Sequence, residues 1–268
     1  MFKHALLTRL ILALRRKDSP FRIIDTHAGS GLYDLSGDAA GRTGEWREGI
    51  ARFHDAALTA EARALLAPWL DIIGPLDAEG RPSLYPGSPI LAQALLRPQD
   101  RMICCELHPR AYAELAAALG RDRNAKAILI DGYTALKAFV PPRERRGLVL
   151  IDPPFERRDE FDRMAEAALA AWRKWKTGIY ALWYPLKDER AAAALAGRLL
   201  AAGVASLLDL RLQVEHPRAD GPLAATGLLV MNPPWGFDAE ARALLPELAR
   251  WLARGPGAKA SVEILVSS

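Results

Sequence analysis

Cysteine is nearly absent from this sequence of 268 residues. The two that occur, Cys104 and Cys105, are adjacent in the chain. Neighbouring side chains on a strand point to opposite faces of a sheet, so this pair is poorly placed to form a disulfide or to share a metal ion. We therefore expect reduced thiols, as in a cytosolic protein, and no metal site.

Long hydrophobic runs are also missing. The apolar residues at the start of the chain are interrupted by Arg9, Arg15 and Arg16, so this segment lacks the uninterrupted core of a signal peptide. No stretch approaches the ~20 apolar residues that a membrane-spanning helix needs. These two absences predict a soluble, cytoplasmic protein without a membrane partner.

Charge of one sign is only slightly in excess. The chain has 36 basic and 32 acidic residues, a net charge of +4 and a sequence pI near 9.2. This balance permits a nucleic-acid partner without demonstrating one. The basic residues form groups, and each group taken alone is more simply explained as a solvated helix end or loop. The groups lie at residues 15–17, 143–146, 157–158 and 173–176.

Short apolar runs that end in an acid or a turn, and that lead into helical stretches, recur along the chain. Seven runs fit this description, at residues 21–25, 102–106, 127–131, 147–152, 178–184, 206–214 and 227–232. Strands alternating with helices predict an α/β fold with a mostly parallel, seven-stranded sheet covered on both faces. The last two runs lie close together, so a reversal there is expected to give an antiparallel strand at one edge.

One interval is too long for a single crossover helix. About seventy residues separate the first predicted strand from the second, and residues 45–58 and 60–73 both show helical spacing of apolar side chains. We interpret residues 34–83 as a small helical insertion within a single domain spanning residues 1–268. The insertion is either a structural elaboration or a substrate-binding appendage, and the sequence barely separates the two.

The turn after the first predicted strand contains two glycines. Gly29 and Gly31 allow the backbone to turn tightly and to approach a ligand closely. The third glycine of a dinucleotide-binding fingerprint is missing, because Asp34 stands at that position. Taken alone, the two glycines are only weak evidence for a nucleotide-binding site.

Acidic residues at the ends of successive predicted strands strengthen that evidence. Ligands gather at the carboxyl ends of parallel strands, beside the point where the strand order reverses. Glu106 is placed to accept both ribose hydroxyls of an adenosine, and Asp131 with Gly132 to recognise its adenine. Each acid could equally cap the following helix, but four in register favour a nucleoside ligand. The four are Asp25, Glu106, Asp131 and Asp152.

Two tetrapeptides, Asp152-Pro-Pro-Phe155 and Asn232-Pro-Pro-Trp235, resemble the catalytic motif of amino-group methyltransferases. An aromatic amine is a poor nucleophile, and an acceptor side chain together with a rigid backbone carbonyl can bind its two N–H groups. The prolines hold that carbonyl in place, and the aromatic ring stacks on the extracted base. Asp152 follows the fourth predicted strand, where the motif is expected, whereas Asn232 follows the seventh. We therefore assign catalysis to Asp152 and interpret the second motif as a rigid turn with a packed Trp.

The whole set of motifs resembles the RlmJ family of bacterial 23S rRNA adenine-N6 methyltransferases, and the resemblance covers nearly the whole chain. It is carried by Asp25-Thr-His-Ala-Gly-Ser-Gly31, Arg42-Thr-Gly-Glu45, Tyr85-Pro-Gly-Ser-Pro89, Glu106-Leu-His-Pro109, Asp131-Gly132, the run from Arg146 to Phe155, the run from Thr177 to Pro185, and the run from Gly227 to Trp235. The resemblance implies a class I, Rossmann-like fold that uses S-adenosylmethionine, with a helical insertion.

The resemblance also implies roles for individual residues and a partner. The methionine end of the cofactor would contact His27 and Ser88, and Lys3 and His4 would also line the cofactor site. The catalytic group would comprise Asp152, the Pro153 carbonyl and the Phe155 ring. The residues alone leave His27 equally explained as a loop-stabilising group and Ser88 as an ordinary turn residue. The implied substrate is 23S rRNA, naked or partly assembled, and the protein is expected to be a monomer.

One departure from the family affects the expected activity. Members have a short segment rich in Tyr, Arg, His, Gly and Asn before the position of Lys3, whereas this sequence starts at Met1. Either the start was assigned too late or this homologue lacks the segment, in which case weak cofactor binding and low activity are expected. Phe155 replaces a frequent Tyr but still supplies a ring.

Two other functions remain open at this stage. A DNA adenine-N6 methyltransferase would use the same Asp152 chemistry, although no DNA-reading module is apparent. A nucleic-acid-binding protein with weakened catalysis would instead fail to bind S-adenosylmethionine. Aromatic residues of the fifth predicted strand lie near the expected base pocket, and we expect Tyr180 and Trp183 to belong to the core.

Overall fold

Ten strands and eight α-helices alternate along the part of the chain that the computed structural model describes, residues 1–35, 46–54, 56–218 and 221–266. The strands are β1 Phe21–Asp25, β2 Leu32–Asp34, β3 Leu84–Pro86, β4 Arg101–Glu106, β5 Ala125–Leu129, β6 Arg146–Ile151, β7 Ile179–Pro185, β8 Ser206–Gln213, β9 Ala225–Met231 and β10 Lys259–Val266. The helices are α1 Phe2–Arg15, α2 Ala60–Ile73, α3 Ser88–Ala94, α4 Pro109–Leu119, α5 Gly132–Phe139, α6 Glu160–Lys174, α7 Glu189–Ala201 and α8 Phe237–Trp251.

The main sheet has the order β10-β8-β9-β7-β6-β1-β4-β5. Five neighbouring strands, from β7 through β6, β1 and β4 to β5, pair in parallel. β1 lies in the middle, and the chain adds β4 and β5 on one side of it and β6 and β7 on the other. The predicted α/β fold with a mostly parallel sheet is confirmed, and the reversal of strand order falls between β1 and β6.

The predicted count of seven strands is wrong, because β10 adds an eighth strand at the edge. It pairs antiparallel with β8 over its full length. Most of its side chains are exposed or half-buried. An edge strand of this kind does not show the continuous apolar run by which the buried strands were recognised.

The position of the reversed strand also differs from the prediction. β9 is antiparallel to both β7 and β8 and lies between them, inside the sheet. The short connection after β8 allows the two strands to form a hairpin. β9 is buried along almost its whole length, and such an apolar strand is stabilised in the interior of a sheet rather than at its edge.

Helices cover both faces of the sheet because successive residues of each strand point to opposite sides. Ile23 of β1 belongs to the core beneath α1, α2, α3, α4 and α8. The next residue, Ile24, belongs to the core beneath α5, α6 and α7. No helix in these described residues is both long and apolar enough to cross a lipid bilayer.

The interval between β2 and β3 contains the predicted helix at residues 60–73, which is confirmed as α2. The hydroxyl of Thr59 accepts a hydrogen bond from the amide of Ala62 and caps its start. Leu66 and Trp69 are buried in the same core as α1. The helix predicted at residues 45–58 includes residues 45 and 55, which lie outside the described residues, as does Arg42-Thr-Gly-Glu45. Within residues 46–54, Ile50–Phe53 forms a 3-10 helix.

The close packing of β9 against β7 yields a stability test. A Cβ at Gly227 would overlap the ring of Tyr184, which is buried and donates a hydrogen bond of 2.6 Å from its hydroxyl to Asp209. We expect Gly227→Ala to lower the free energy of unfolding by about 1–3 kcal/mol, measured by urea denaturation.

Gly197, inside α7, is the matched control. A Cβ there meets nothing within 4 Å, so Gly197→Ala should raise the free energy of unfolding by about 0.5–1 kcal/mol. Equal effects of the two substitutions would contradict the packing described for Gly227.

Candidate active site

The loop after β1 is pinned between the two neighbouring strands. The amide and the hydroxyl of Thr26 both donate to the carbonyl of Leu150, at 3.0 and 2.9 Å. The amide of Ala28 donates to the carbonyl of Cys105 at 2.9 Å. These bonds extend the parallel ladders past the end of β1. The loop is therefore fixed at the point where the strand order reverses.

The glycines of this loop organise the carboxylate of Glu106. Gly29 and Gly31 have positive φ angles of 64° and 80°, which glycine adopts without strain. The amide of Gly29 donates to Oε2 of Glu106 at 2.9 Å, and the amide of His108 donates to Oε1 at 2.8 Å. The carboxylate is thus oriented before any ligand arrives, and it lies on the wall of a cleft.

A cleft of about 640 Å³ opens at the carboxyl ends of the parallel strands. This volume lies within the range of small-molecule and cofactor sites. Six of the residues predicted from sequence to form the site line it. They are His27, Gly29, Glu106, Asp131, Gly132 and Asp152.

Asp131 and Gly132 begin α5 and close one side of the cleft. Oδ1 of Asp131 accepts hydrogen bonds from the amide and the hydroxyl of Thr134, at 2.8 and 3.0 Å, so the residue caps the helix as well as facing the cleft. Burial alone would raise the pKa of Asp131, but the bonds from Thr134 outweigh it and the pKa is lowered. A Cβ at Gly132 would overlap the carbonyl of Thr26, so the contact between α5 and the β1 loop requires glycine.

His27 is held rigidly between the β1 loop and α5. Its Nδ1 lies 2.7 Å from the hydroxyl of Thr26, and its ring meets that of Tyr133 edge-on with centroids 5.3 Å apart. Burial lowers the pKa of His27, and nearby carboxylates only partly offset that effect. The imidazole is therefore neutral at pH 7, and both roles foreseen for it, loop stabilisation and ligand contact, are compatible with its position.

The Asp152 motif begins directly after β6. Asp152 forms an ion pair with the ammonium group of Lys3, which α1 contributes from 149 residues away. Burial alone would lower the pKa of Lys3, but attraction and a hydrogen bond from Asp152 outweigh it and the pKa is raised. Pro153 is buried and Pro154 lines the cleft. The backbone then adopts a positive φ of 52° at Phe155, which ends the motif in a sharp turn.

The ring of Phe155 lies in an aromatic cluster beside the cleft. Its centroid is 5.0 Å from that of Phe161 and 5.8 Å from that of Trp183. Trp183 is half-buried and so is only partly a core residue, which corrects the expectation from sequence. Tyr180 is fully buried, and its hydroxyl donates to the carbonyl of Trp175, so its predicted place in the core is confirmed.

The second tetrapeptide lies at the amino ends of the parallel strands, opposite the cleft. The side-chain amide of Asn232 donates to the carbonyls of Lys176 and Gly178, at 2.7 and 2.8 Å. Both carbonyls precede β7, at the amino end of that parallel strand. β9 runs against β7, and its last residue pairs near the start of β7. The two motifs are therefore separated by the full length of the strands.

His4 and Ser88 lie beside the cleft rather than on its wall. Nδ1 of His4 is 2.8 Å from the hydroxyl of Tyr85, and the two rings stack. Burial lowers the pKa of His4. Ser88 is the buried first residue of α3, close to Asp25. Both residues therefore belong to the layer behind the β1 loop.

Asp25 is a buried carboxylate whose hydrogen bonding is incomplete. Within the described residues, no donor reaches either of its oxygens at good hydrogen-bond geometry. Burial raises the pKa of Asp25 to about 6, although the nearby hydroxyl of Ser88, the ammonium of Lys3 and the amide of His27 oppose that effect. An incompletely compensated carboxylate next to a nucleoside-sized cleft fits a ligand that brings positive charge. S-adenosylmethionine, which has an ammonium and a sulfonium group, meets that condition.

Several residues that line the cleft were missed by reasoning from sequence. The hydroxyl of Tyr133 donates to Oε1 of Glu160 at 2.7 Å, and the guanidinium of Arg163 lies 4.8 Å from the Tyr133 ring centroid. Arg157 also lines the cleft. Tyr133 could have been found as the neighbour of Gly132. Glu160 and Arg163 had no such signal, because only the packing of α6 against α5 brings them to the site.

Comparison with known proteins identifies the family. Residues 18–266 match the family model described as "Ribosomal RNA large subunit methyltransferase D, RlmJ". The chain belongs to this family. Relatives named ribosomal RNA large subunit methyltransferase J occur in Escherichia coli K12, 37% identical over 92% of this chain and 88% of the relative, and in Haemophilus influenzae Rd, 36% identical over 94% and 89%.

A solved structure extends the RlmJ-family comparison to three dimensions. A protein from Legionella pneumophila is 32% identical and superposes with a TM-score of 0.86, over 99% of this chain and 96% of the other. The shared architecture therefore includes α1 and α2 as well as the sheet.

The buried carboxyl of Asp25 predicts a pH-dependent stability difference. Between pH values of about 4 and 6 the folded protein keeps a proton on Asp25 that the unfolded chain has released, so the stability contributed by this group falls as pH rises. Asp25→Asn removes that loss. Because the pKa is raised from 3.8 to about 6, we expect the variant to be more stable by about 3 kcal/mol above pH 6.5 and nearly equal to wild type near pH 4.

Urea denaturation of both proteins across this pH range measures the difference. Asp18→Asn, at an exposed position, is the control and should change the unfolding free energy by less than about 0.5 kcal/mol. A difference between Asp25→Asn and wild type that does not vary with pH would contradict the assignment.

Proposed function

We propose that this chain transfers a methyl group from S-adenosylmethionine to the exocyclic N6 of an adenine in 23S rRNA. The observation that carries the proposal is the position of Asp152-Pro-Pro-Phe155 at the end of β6, on the rim of a nucleoside-sized cleft. Membership of the RlmJ family supports ribosomal RNA as the substrate. The names of the Escherichia coli and Haemophilus influenzae relatives agree with this choice.

The cleft residues would hold the cofactor along its length. Glu106, already oriented by two backbone amides, would accept the ribose hydroxyls. Asp131 and Gly132 would bind the adenine of the cofactor, and Gly29 would allow close approach of the backbone. The methionine end would lie near His27 and Ser88, with Asp25 supplying negative charge behind them and with Lys3 and His4 close to that end of the cleft.

When bound, S-adenosylmethionine supplies a methyl group on a sulfonium, which is a good leaving group. The chain's own residues therefore act mainly by positioning the acceptor. Asp152 and the carbonyl of Pro153 would accept hydrogen bonds from the two N–H groups of the amine. The prolines restrict the backbone that carries that carbonyl. The ring of Phe155, supported by Phe161 and Trp183, would stack on the base.

The ion pair with Lys3 defines what Asp152 can do. The ammonium group of Lys3 donates a hydrogen bond to Oδ2 of Asp152, which leaves Oδ1 to accept a hydrogen bond from the amine. In this arrangement Asp152 would orient the amine for methyl transfer.

The remaining features of the proposal concern the state of the protein and its substrate. We infer a cytoplasmic monomer that acts on naked or partly assembled 23S rRNA, with residues 34–83 as a helical insertion of one methyltransferase domain. A DNA substrate would use the same Asp152 chemistry and is the alternative that the substrate test addresses.

Removing the acceptor carboxylate tests the catalytic assignment. Asp152→Ala should reduce methyl transfer to 23S rRNA by at least about 10²-fold, the scale seen when a preorganised group that stabilises the transition state is removed. Binding of S-adenosylmethionine, measured by calorimetry, should be largely retained. Asp162→Ala, on the exposed face of α6, is the matched control and should keep full activity. Wild-type turnover by Asp152→Ala would show that another group is catalytic.

The choice of acceptor tests the substrate assignment. Stripped 23S rRNA should accept methyl groups, and duplex DNA should not, when each is incubated with the protein and labelled S-adenosylmethionine. Assembled large subunits, included as a third acceptor, show whether the target remains accessible. A preference for duplex DNA would overturn the rRNA assignment. An absence of measurable cofactor binding would favour a nucleic-acid-binding protein with weakened catalysis.

A further inference from the structure

The tetrapeptide that is not used for catalysis displays its aromatic residue to solvent. Trp235 is 92% exposed, whereas the expectation from sequence was a packed Trp. The other large aromatic side chains that the structure describes are mostly buried in the two cores, Trp69 and Trp172 among them. A fully exposed indole contributes little to folding, and a single exposed apolar residue is common on protein surfaces, so its meaning depends on the groups around it.

The turn that carries Trp235 is held rigidly at both ends. Asn232 has a positive φ of 54°, and its side chain is anchored by two backbone carbonyls. Two prolines follow and restrict the backbone further. At the other end, Nη1 of Arg16 donates to the carbonyl of Trp235 at 2.8 Å. The backbone that carries the indole is therefore fixed in position, which lowers the backbone entropy lost when the indole binds a partner.

Basic groups that are far apart in sequence converge on this same edge of the sheet. Residues 15–17 reach it through the bond from Arg16 to Trp235. Residues 173–176, at and just after the end of α6, reach it through the carbonyl of Lys176, which accepts a hydrogen bond from Asn232. The loop at 143–146 joins them, because the indole N–H of Trp175 donates to the carbonyl of Arg145 at 3.3 Å. We name this surface the Trp235 edge: residues 15–17, 143–146, 173–176 and 232–235.

The Trp235 edge has more positive than negative charge. Glu240 is paired with Arg9 and Arg16, and Glu144 is paired with Arg22, whereas Asp18 and Asp238 form no ion pair in the described residues. In the described part of the chain, no ion pair involves the exposed residues Arg15, Lys17, Arg145 or Arg173. Arg146 is not one of these free cations, because its guanidinium donates hydrogen bonds to the carbonyls of Ser19 and Leu14.

We propose that the Trp235 edge is a second RNA-binding surface, on which an unpaired base stacks on Trp235 while the flanking phosphates contact the surrounding cations. This inference rests on the proposed function, because it assigns a second contact to the same rRNA substrate. An aromatic platform among unpaired Lys and Arg side chains is the combination that binds single-stranded nucleic acid. An apolar protein surface would leave these cations uncompensated, so RNA is the better fit.

The distance between the two surfaces makes this contact separate from base recognition in the cleft. The six residues of β6, Arg146–Ile151, join them and span about 20 Å at ~3.3 Å per residue. A folded rRNA segment is large enough to reach both edges. Binding at the Trp235 edge would then hold the RNA while one adenine enters the cleft.

Substitution of the indole is the first test. Stacking on one base is worth about 1–3 kcal/mol, so Trp235→Ala should weaken binding of a bacterial 23S rRNA transcript about 5- to 150-fold in a filter-binding assay. The KM for RNA should rise while kcat at saturating RNA and affinity for S-adenosylmethionine stay unchanged. Ile264→Ala removes another exposed apolar side chain, on β10, and should leave RNA binding unaltered.

Charge reversal at the same surface is the second test. The double variant Arg145→Glu, Arg173→Glu should reduce the slope of log K against log salt concentration by about one for each phosphate that is no longer neutralised. The control is the double variant Lys187→Glu, Arg190→Glu, which makes the same change in net charge. Lys187 lies just before α7 and Arg190 lies within it. Unchanged RNA affinity in Trp235→Ala and an unchanged salt slope in the double variant would overturn the proposal and indicate a protein-binding surface instead.

The proposed function and this inference can fail separately. A wild-type protein that binds 23S rRNA in a Trp235-dependent way without methylating it would support the RNA-binding surface and refute the proposed reaction. Methylation with no dependence on Trp235 or on the charge pair would support the reaction and refute the surface.

Discussion

Parallel pairing of β1 with β4 on one side and β6 on the other is the constraint on which the rest of the structure depends. The pairing continues into the β1 loop, through Thr26 and Ala28, and so fixes the loop backbone at the point where the connections diverge. A crevice forms there because the chain leaves β1 and β6 in opposite directions across the sheet. The close contact of Gly132 with the carbonyl of Thr26 then sets the distance between α5 and the β1 loop. The cleft is therefore a product of backbone geometry, and side chains refine it.

The two edges of the sheet differ in electrostatic character. The carboxyl edge gathers Asp25, Glu106, Asp131 and Asp152, and the Lys3 ammonium offsets only part of that charge. A cationic cofactor is stabilised by such surroundings, and a polyanion is not. The amino edge instead displays unpaired cations around Trp235. This separation of charge suits a reaction between cationic S-adenosylmethionine and polyanionic RNA. The two meet at the rim of the cleft, while most of the RNA would be held at the amino edge.

Prediction from sequence succeeded where a local pattern carried the information. Apolar runs ending in acids located the parallel strands, and helical spacing located Ala60–Ile73. The strand order was not accessible in this way, because β9 enters between β7 and β8 through pairing partners that only tertiary structure defines. β10 was missed because an edge strand with half-exposed side chains lacks a continuous apolar run.

The candidate site shows the same division. Six of its predicted residues line one cleft, since each lies at or just after the carboxyl end of a parallel strand or at the start of the next helix. The ion pair of Lys3 with Asp152 joins residues 149 positions apart, and Glu160 reaches Tyr133 through helix packing, so neither contact had a local signal. The exposure of Trp235 also could not be predicted, because a Pro-Pro-aromatic turn has the same sequence whether its ring is buried or exposed.

Identification of the modified nucleoside tests the central claim most directly. A 23S rRNA transcript incubated with this protein and S-adenosylmethionine would be digested to nucleosides and analysed by mass spectrometry against authentic standards. The proposed binding of an exocyclic amine by Asp152 and the Pro153 carbonyl predicts N6-methyladenosine as the product. A methyl group on a ring carbon or on a ribose hydroxyl would contradict it.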